Sequence, residues 1–167
     1  MAKLSHLDRK GEARMVDVGG KASTPRRAVA RGRVLLAPSA FDQLRENRLA
    51  KGDVMAVARL AGIQAAKRTA EWIPLCHSVP LDHLDVTIEL DARASGVVIT
   101  AESRAHWTTG VEMEAMVAVS AACLAIYDMA KAADRGITIT DVQLLLKEGG
   151  KSGKWERSPA KDGGKAI

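Results

Sequence analysis

Between Ala115 and Tyr127 the chain reads AMVAVSAACLAIY, a run without a single charged residue. A helix built from it is apolar on every side and has to be covered on every side. One small sheet covers a single face, so the run demands a second covering surface. Ala115, Ala118, Ala122 and Ala125 form a small-residue stripe along which another element can approach closely. A second copy of the chain, joined by a symmetric contact, is the expected partner. Cys123, inside the run, is expected in the core.

The remainder must supply the sheet. With 167 residues the chain has the size of one domain and can bury a core. Aromatics are 3% of it, so that core has to rest on Ala, Val, Leu, Ile and Met. Arg26 to Leu36 alternates as a strand, with Val29 and Val34 as its apolar members. Pro38 and Ser39 open a short helix to Leu49, with Ser39 as N-cap and Asp42 in the first turn. Asp53 caps a second helix, VMAVARLAGIQAAKRTA, whose core face is read as Val54, Val57, Leu60, Ala61 and Ala65. Leu84 to Leu90 alternates strictly, Val86, Ile88 and Leu90 on one side, and DARASG returns the chain through VVITAES as a hairpin. A long helix is expected from Val111 to Asp134, stopped by Gly136, and ITITDVQLLLK is the last strand. Strand, helix, strand, strand, helix, strand is the ferredoxin-like order. The predicted fold class is therefore α+β: a βαββαβ antiparallel sheet with helices on one face and an extra short helix. The domain spans residues 26–148, between a flexible arm at 1–25 and a flexible basic tail at 149–167.

The net charge is +5, which suits an anionic partner, although many of the lysines and arginines lie near the chain ends. Two cysteines, Cys76 and Cys123, are too few for a disulfide framework and fit a reducing cytoplasm. No signal-peptide pattern follows Met1. No apolar run is expected to reach the roughly 18 residues of a membrane span.

Against this background the stretch TGVEMEAM stands out. Thr109 and Glu112 have capping-box spacing, and both glutamates would sit at the positive end of the helix dipole. Glu114 has no such role, since residues two apart on a helix point away from each other. At the other end of the helix, Asp128 and Lys131 are three apart. They read either as a solvated ion pair or as an acid/base pair beside a buried interface, where a lysine loses its proton more readily. Glu114 and Asp128 lie about 21 Å apart along one helix, so a site using both either holds an extended ligand or draws its ends from two chains, and the apolar helix favours the second. PLCH places Cys76 beside His77, and His77 suits a phosphate or carbonyl contact; the spacing supports no metal site. GGKSGKW fails the GxxxxGKS/T phosphate-loop pattern, because Glu148 and Trp155 occupy required positions. It remains a candidate basic flap.

Taken together, KGDVMAVARLAGIQAAKRT, IPLCH, TGVEMEAM, IYDMAKA and LLLKEGGKSG, with MVDV and GGKA near the start, resemble the cyclic pyranopterin monophosphate synthase family of molybdenum cofactor biosynthesis. The resemblance runs from Met15 to Gly153. It implies a homohexamer, a trimer of dimers, with active sites at subunit interfaces. It also implies a nucleotide-derived substrate, (8S)-3′,8-cyclo-7,8-dihydroguanosine 5′-triphosphate, converted to cyclic pyranopterin monophosphate with release of pyrophosphate. Carried over by motif, Asp128, Lys131 and Lys51 are the expected catalytic residues. Leu75, Cys76, His77, Glu112, Met113 and Glu114 are expected to contact substrate, with Lys147 as a further phosphate ligand. No cofactor is required by the sequence; Mg²⁺ can accompany the triphosphate. Thr108 stands where many relatives are expected to have a lysine.

Two other classes are weighed. An RNA-binding module of similar fold would need aromatics for base stacking, and LDVTIEL, VVITAES and ITITDVQLLL have none. A non-catalytic interaction subunit would not need Lys51, Asp128 and Lys131 in their motifs. Neither nucleic acid nor membrane is an expected partner.

Overall fold

The computed structural model describes residues 12–158. Five strands and four helices follow one another as β1 (Thr24–Leu35), α1 (Pro38–Arg45), α2 (Val54–Ala66), α3 (Thr69–Trp72), β2 (His83–Asp91), β3 (Gly96–Trp107), α4 (Glu112–Ala130), β4 (Thr138–Glu148) and β5 (Trp155–Glu156). The sheet order is β2-β3-β1-β4-β5, and every pairing is antiparallel. This is the expected ferredoxin-like sheet, with β5 added at one edge and the helices on one face.

Alternation in the central strand explains the layering. Ala28, Ala30, Gly32 and Val34 of β1 are buried toward the helices, as are Val97, Ile99 and Ala101 of β3. Val29 and Val34 do not share a face, because an odd spacing places them on opposite sides of a pleated strand. Arg27, Arg31 and Arg33 of β1 alternate with the buried residues, and the open face carries ion pairs: Arg27 with Glu102 (2.7 Å) and Glu148 (3.2 Å), and Arg33 with Asp91 (2.5 Å). Gly32 is small because α4 lies directly over it; a Cβ there would come within 2.6 Å of Val119 Cγ1.

α4 is covered within its own chain. The sheet takes one side and α2 the other. Gly62 of α2 sits against Ala118 and Ala122, where a Cβ would lie 2.9 Å from the Ala118 carbonyl oxygen. The small-residue stripe is thus occupied by α2, not by a second copy. From Ala115 to Tyr127, Leu124 alone is exposed. α4 is long and apolar enough to cross a membrane by length and composition, contrary to the sequence expectation, but most of it is buried between the sheet and α2.

α2 uses a different face from the one expected. Val54, Ala58, Gly62, Ala65 and Ala66 are buried, whereas Val57 and Leu60 are 42% and 63% exposed. Close helix packing selects the small residues and turns the bulky ones outward. Asp53 caps the helix as expected, its carboxylate accepting from the Ala56 amide at 3.0 Å. α2 ends before the sequence pattern does: Thr69 is buried and donates its hydroxyl to the Ala66 carbonyl at 2.9 Å, opening the separate turn of α3.

Other boundaries also shift. The residue before α1 is Ala37, not Ser39, and its amide donates to Asp134 Oδ2 at 2.7 Å. α1 stops at Arg45, and Asn47 takes a left-handed φ of 52°. The N-cap of α4 is Val111 without a side-chain cap, so the Thr109–Glu112 capping box does not form. The helix ends at Ala130, well before Gly136, whose amide is held instead by Asp134 Oδ1 at 2.7 Å. Leu90 is 41% exposed at the end of β2, leaving Val86 and Ile88 toward the core. β3 runs on to Trp107, the aromatic missing from the predicted strand, and that ring packs against the core.

Of the predicted arm, Thr24 and Pro25 belong to β1; of the predicted tail, Trp155 and Glu156 form β5. Residues 1–11 and 159–167 lie outside the described residues.

Candidate active site

The C-terminal end of α4 gathers the three expected catalytic residues. Lys51, from the turn before α2, places Nζ 2.6 Å from Asp128 Oδ2 and also donates to the Asp128 carbonyl at 2.8 Å. Lys131 Nζ lies 2.7 Å from Asp128 Oδ1. One carboxylate is gripped by two ammonium groups. Lys131, then Lys51, hold the Asp128 carboxyl down to about 2, and Asp128 in turn raises Lys131. All three side chains are 43–56% exposed. Lys131 is therefore not the easily deprotonated lysine that a buried site would give. Without burial, its carboxylate neighbour decides the direction.

The N-terminal end of α4 gathers the expected substrate contacts. Leu75, Cys76 and His77, from the irregular link after α3, face Glu112, Met113 and Glu114 across a cavity of about 340 Å³. Lys147 of β4 joins this end through Glu112 Oε1 at 3.2 Å, and it also donates to Ser152 Oγ at 2.8 Å. Glu114 is only 3% exposed, and burial raises its carboxyl to about 7, with the charge of Glu112 adding to the effect. Burial likewise raises the Cys76 thiol, with Glu114 contributing, which disfavours a thiolate nucleophile.

Ser103 explains how the glutamates are aimed. It is a fully buried polar residue of β3, on a helix-facing position, and its hydroxyl donates to the Val111 carbonyl at 2.8 Å. That bond fixes the first turn of α4 against the sheet. Val16, Val18 and Lys21 also line the cavity, from the segment before β1. All three fall in the MVDV and GGKA motifs of the resemblance, but local patterning assigns them no role, because a polar, glycine-containing stretch does not mark where it packs.

The two clusters sit at opposite ends of one helix, about 21 Å apart at 1.5 Å per residue. Each is assembled by the fold, and within a single chain they do not meet.

Residues 15–150 match the MoaC family. The chain is 55% identical to the cyclic pyranopterin monophosphate synthase of Thermomicrobium roseum over 157 residues, which cover 94% of this chain and 95% of that protein. The synthase of Chloroflexus aurantiacus is 54% identical over 93% of this chain and 95% of its own length. That of a Methylobacterium species is 53% identical over 96% and 100%. Similarity at this level, across every element that carries the two clusters, identifies the chain as a member of the MoaC family.

Proposed function

We propose that the chain is a cyclic pyranopterin monophosphate synthase. It converts (8S)-3′,8-cyclo-7,8-dihydroguanosine 5′-triphosphate to cyclic pyranopterin monophosphate and releases pyrophosphate, in molybdenum cofactor biosynthesis and in a reducing cytoplasm. The observation that carries the reading of the site is the pairing of two incomplete clusters on one helix. A carboxylate-lined cavity suits the N–H donors of a guanine-derived ring, and a lysine–aspartate–lysine group suits proton transfer beside phosphate.

The clusters meet when two chains pack so that the Glu114 end of one faces the Asp128 end of the other. The exposed apolar residues Leu60, Trp72 and Leu124 support such packing, with Leu124 near the middle of α4. A two-fold contact there makes two equivalent composite sites. The hexamer, as a trimer of such dimers, follows from the family resemblance.

In the composite site a sugar hydroxyl oxygen attacks the α-phosphorus. The P–O bond to the β-phosphate breaks, and its electron pair leaves with pyrophosphate. Positioning and charge stabilisation account for most of such a step. The hydroxyl proton passes to the Asp128–Lys131 pair, which partner burial strips of the water that now favours its ionised form. Lys51, His77 and Lys147 hold phosphate or carbonyl oxygens. Mg²⁺ accompanying the triphosphate would be carried by phosphate oxygens and water.

The test is pyrophosphate release from the purified cyclic nucleotide triphosphate, with wild type and Lys131→Ala. Release by wild type alone, with the pterin product formed, is the expected result. A folded oligomer that releases none would overturn the reading in favour of a non-catalytic interaction subunit.

A further inference from the structure

The Lys51–Asp128 ion pair is half exposed, and a pair so exposed holds its geometry weakly by itself. For Lys131 the chain supplies the placement: it lies three residues after Asp128, and its amide donates to the Tyr127 carbonyl at 2.9 Å. Lys51 is 77 residues from Asp128 and arrives from another segment. Whatever holds that segment decides whether the second ammonium reaches the carboxylate.

The segment can be followed back from Lys51. The Gly52 amide donates to the Leu49 carbonyl at 3.1 Å, Leu49 is buried, and Gly52 takes a φ of 88°, which closes a tight turn around the lysine. Before that turn, the amides of Glu46, Asn47 and Arg48 donate to the carbonyls of Asp42, Leu44 and Gln43, so this stretch stays bonded to α1. Lys51 thus inherits its position from α1. That helix buries Ala40, Phe41 and Leu44 in the core, and the amide that precedes it, that of Ala37, meets Asp134 Oδ2. The other oxygen of the same carboxylate takes the Gly136 amide, and a Cβ at 136 would come within 3.2 Å of it. The Asp134 amide donates to the carbonyl of Ala130, the last residue of α4, at 3.1 Å. One carboxylate therefore joins the start of α1, where its charge suits the helix dipole, to the end of α4. Together with the Lys51–Asp128 bond it closes a ring that runs from α4 through Lys51, α1 and Ala37 back to α4. Two clasps fix an orientation that one leaves free to swing.

We propose that Asp134 is a positioning residue for the reaction: its clasp on the Ala37 amide holds α1, and with it Lys51, within reach of Asp128. The proposal rests on the catalytic reading of Lys51, Asp128 and Lys131 given above.

The test compares the full-length wild type with Asp134→Ala, Lys51→Ala and the double variant, with circular dichroism and sedimentation checking fold and assembly. Asp134→Ala is expected to lower kcat for pyrophosphate release about tenfold to a hundredfold. In the Lys51→Ala background the same change is expected to cost no more than about twofold, since a group acting through Lys51 has nothing left to position. Equal losses in both backgrounds, as a purely structural role gives, or an unchanged kcat in the single variant, would overturn the proposal. Ala37→Pro removes the clasp from its other side: the Ala37 φ of −60° is one that proline adopts, and only the amide donor is lost. It is expected to reproduce the Asp134→Ala defect, and it takes that variant's place in the cycle if Asp134→Ala does not fold. A second readout needs no turnover. Labelling of the Lys51 amine by acetic anhydride, followed by mass spectrometry, is expected to rise severalfold in both clasp variants while Lys147 is labelled as in wild type. Raised labelling with no pyrophosphate release by wild type would sustain the clasp and remove the synthase reading; release by wild type with Lys51 labelling unchanged in the variants would remove the clasp alone.

Discussion

Glu114 is the residue whose environment departs furthest from its composition. A carboxylate in the first turn of a helix has favourable dipole electrostatics, yet this one is buried and its carboxyl is raised to about 7 from an ordinary 4.5. The folded chain therefore keeps a proton that the unfolded chain releases. Stability is greatest below the unfolded value and declines as pH rises through the folded one. Glu114→Gln is expected to raise the melting temperature of the ligand-free protein at pH 8 and to leave it nearly unchanged at pH 5. Thermal unfolding across that range checks the sign. Asp128 behaves oppositely: its carboxyl is held near 2 by two lysines, so it is ionised throughout the physiological range. Asp128→Asn removes the charge with little change of shape. We expect a normally folded oligomer with turnover reduced at least about a hundredfold, read by pyrophosphate release.

At the scale of elements, the contact between α2 and α4 organises the helical layer. It depends on Gly62 lying over Ala118 and Ala122. Gly62→Ala brings two opposing effects: helix propensity favours alanine by about 1 kcal/mol, while overpacking a tight contact costs about 1–3 kcal/mol. Because the nearest obstacle is the backbone oxygen of Ala118, not a movable side chain, overpacking wins. The expected outcome is net destabilisation of up to about 2 kcal/mol in a denaturant titration. The same contact shows how legible the elements were. The strands, the hairpin and the Asp53 cap followed from alternation and local hydrogen bonding. The helical face of α2 did not, since a periodic pattern of apolar residues says which ones could be buried, and only the neighbour's shape decides that Ala58 and Gly62 go in while Val57 and Leu60 stay out.

For the whole molecule, the proposed composite site, with one half from each end of α4, requires chains to cooperate. Asp128→Asn and Glu114→Gln damage opposite ends. Each homo-oligomer is expected to be impaired. Co-assembled in equal amounts, the two variants are expected to recover about a quarter of wild-type turnover, because random pairing restores a fully intact composite site in about that fraction. Pyrophosphate release from mixed and refolded oligomers measures it; no recovery would indicate a site within one chain. Leu124 is 53% exposed on α4, and if the proposed two-fold contact covers it, Leu124→Glu is expected to shift the protein to smaller species in sedimentation, with turnover lost in parallel.

By itself the sequence determined the βαββαβ order of elements, the burial of the long helix and the motifs from which the two residue clusters are, in the main, drawn. Each of these is written locally, in alternation, in an uncharged run or in a motif of adjacent residues. Tertiary structure decided what covers that helix, since its small-residue stripe accepts any close neighbour and α2, tethered in the same chain, meets it without the entropy loss of association. It also decided that Glu114 is buried while Asp128 is not, and that Asp134 meets the Ala37 amide across 97 residues of chain. Distances between residues so far apart in the chain arise only when the sheet pairs and the loops close over it.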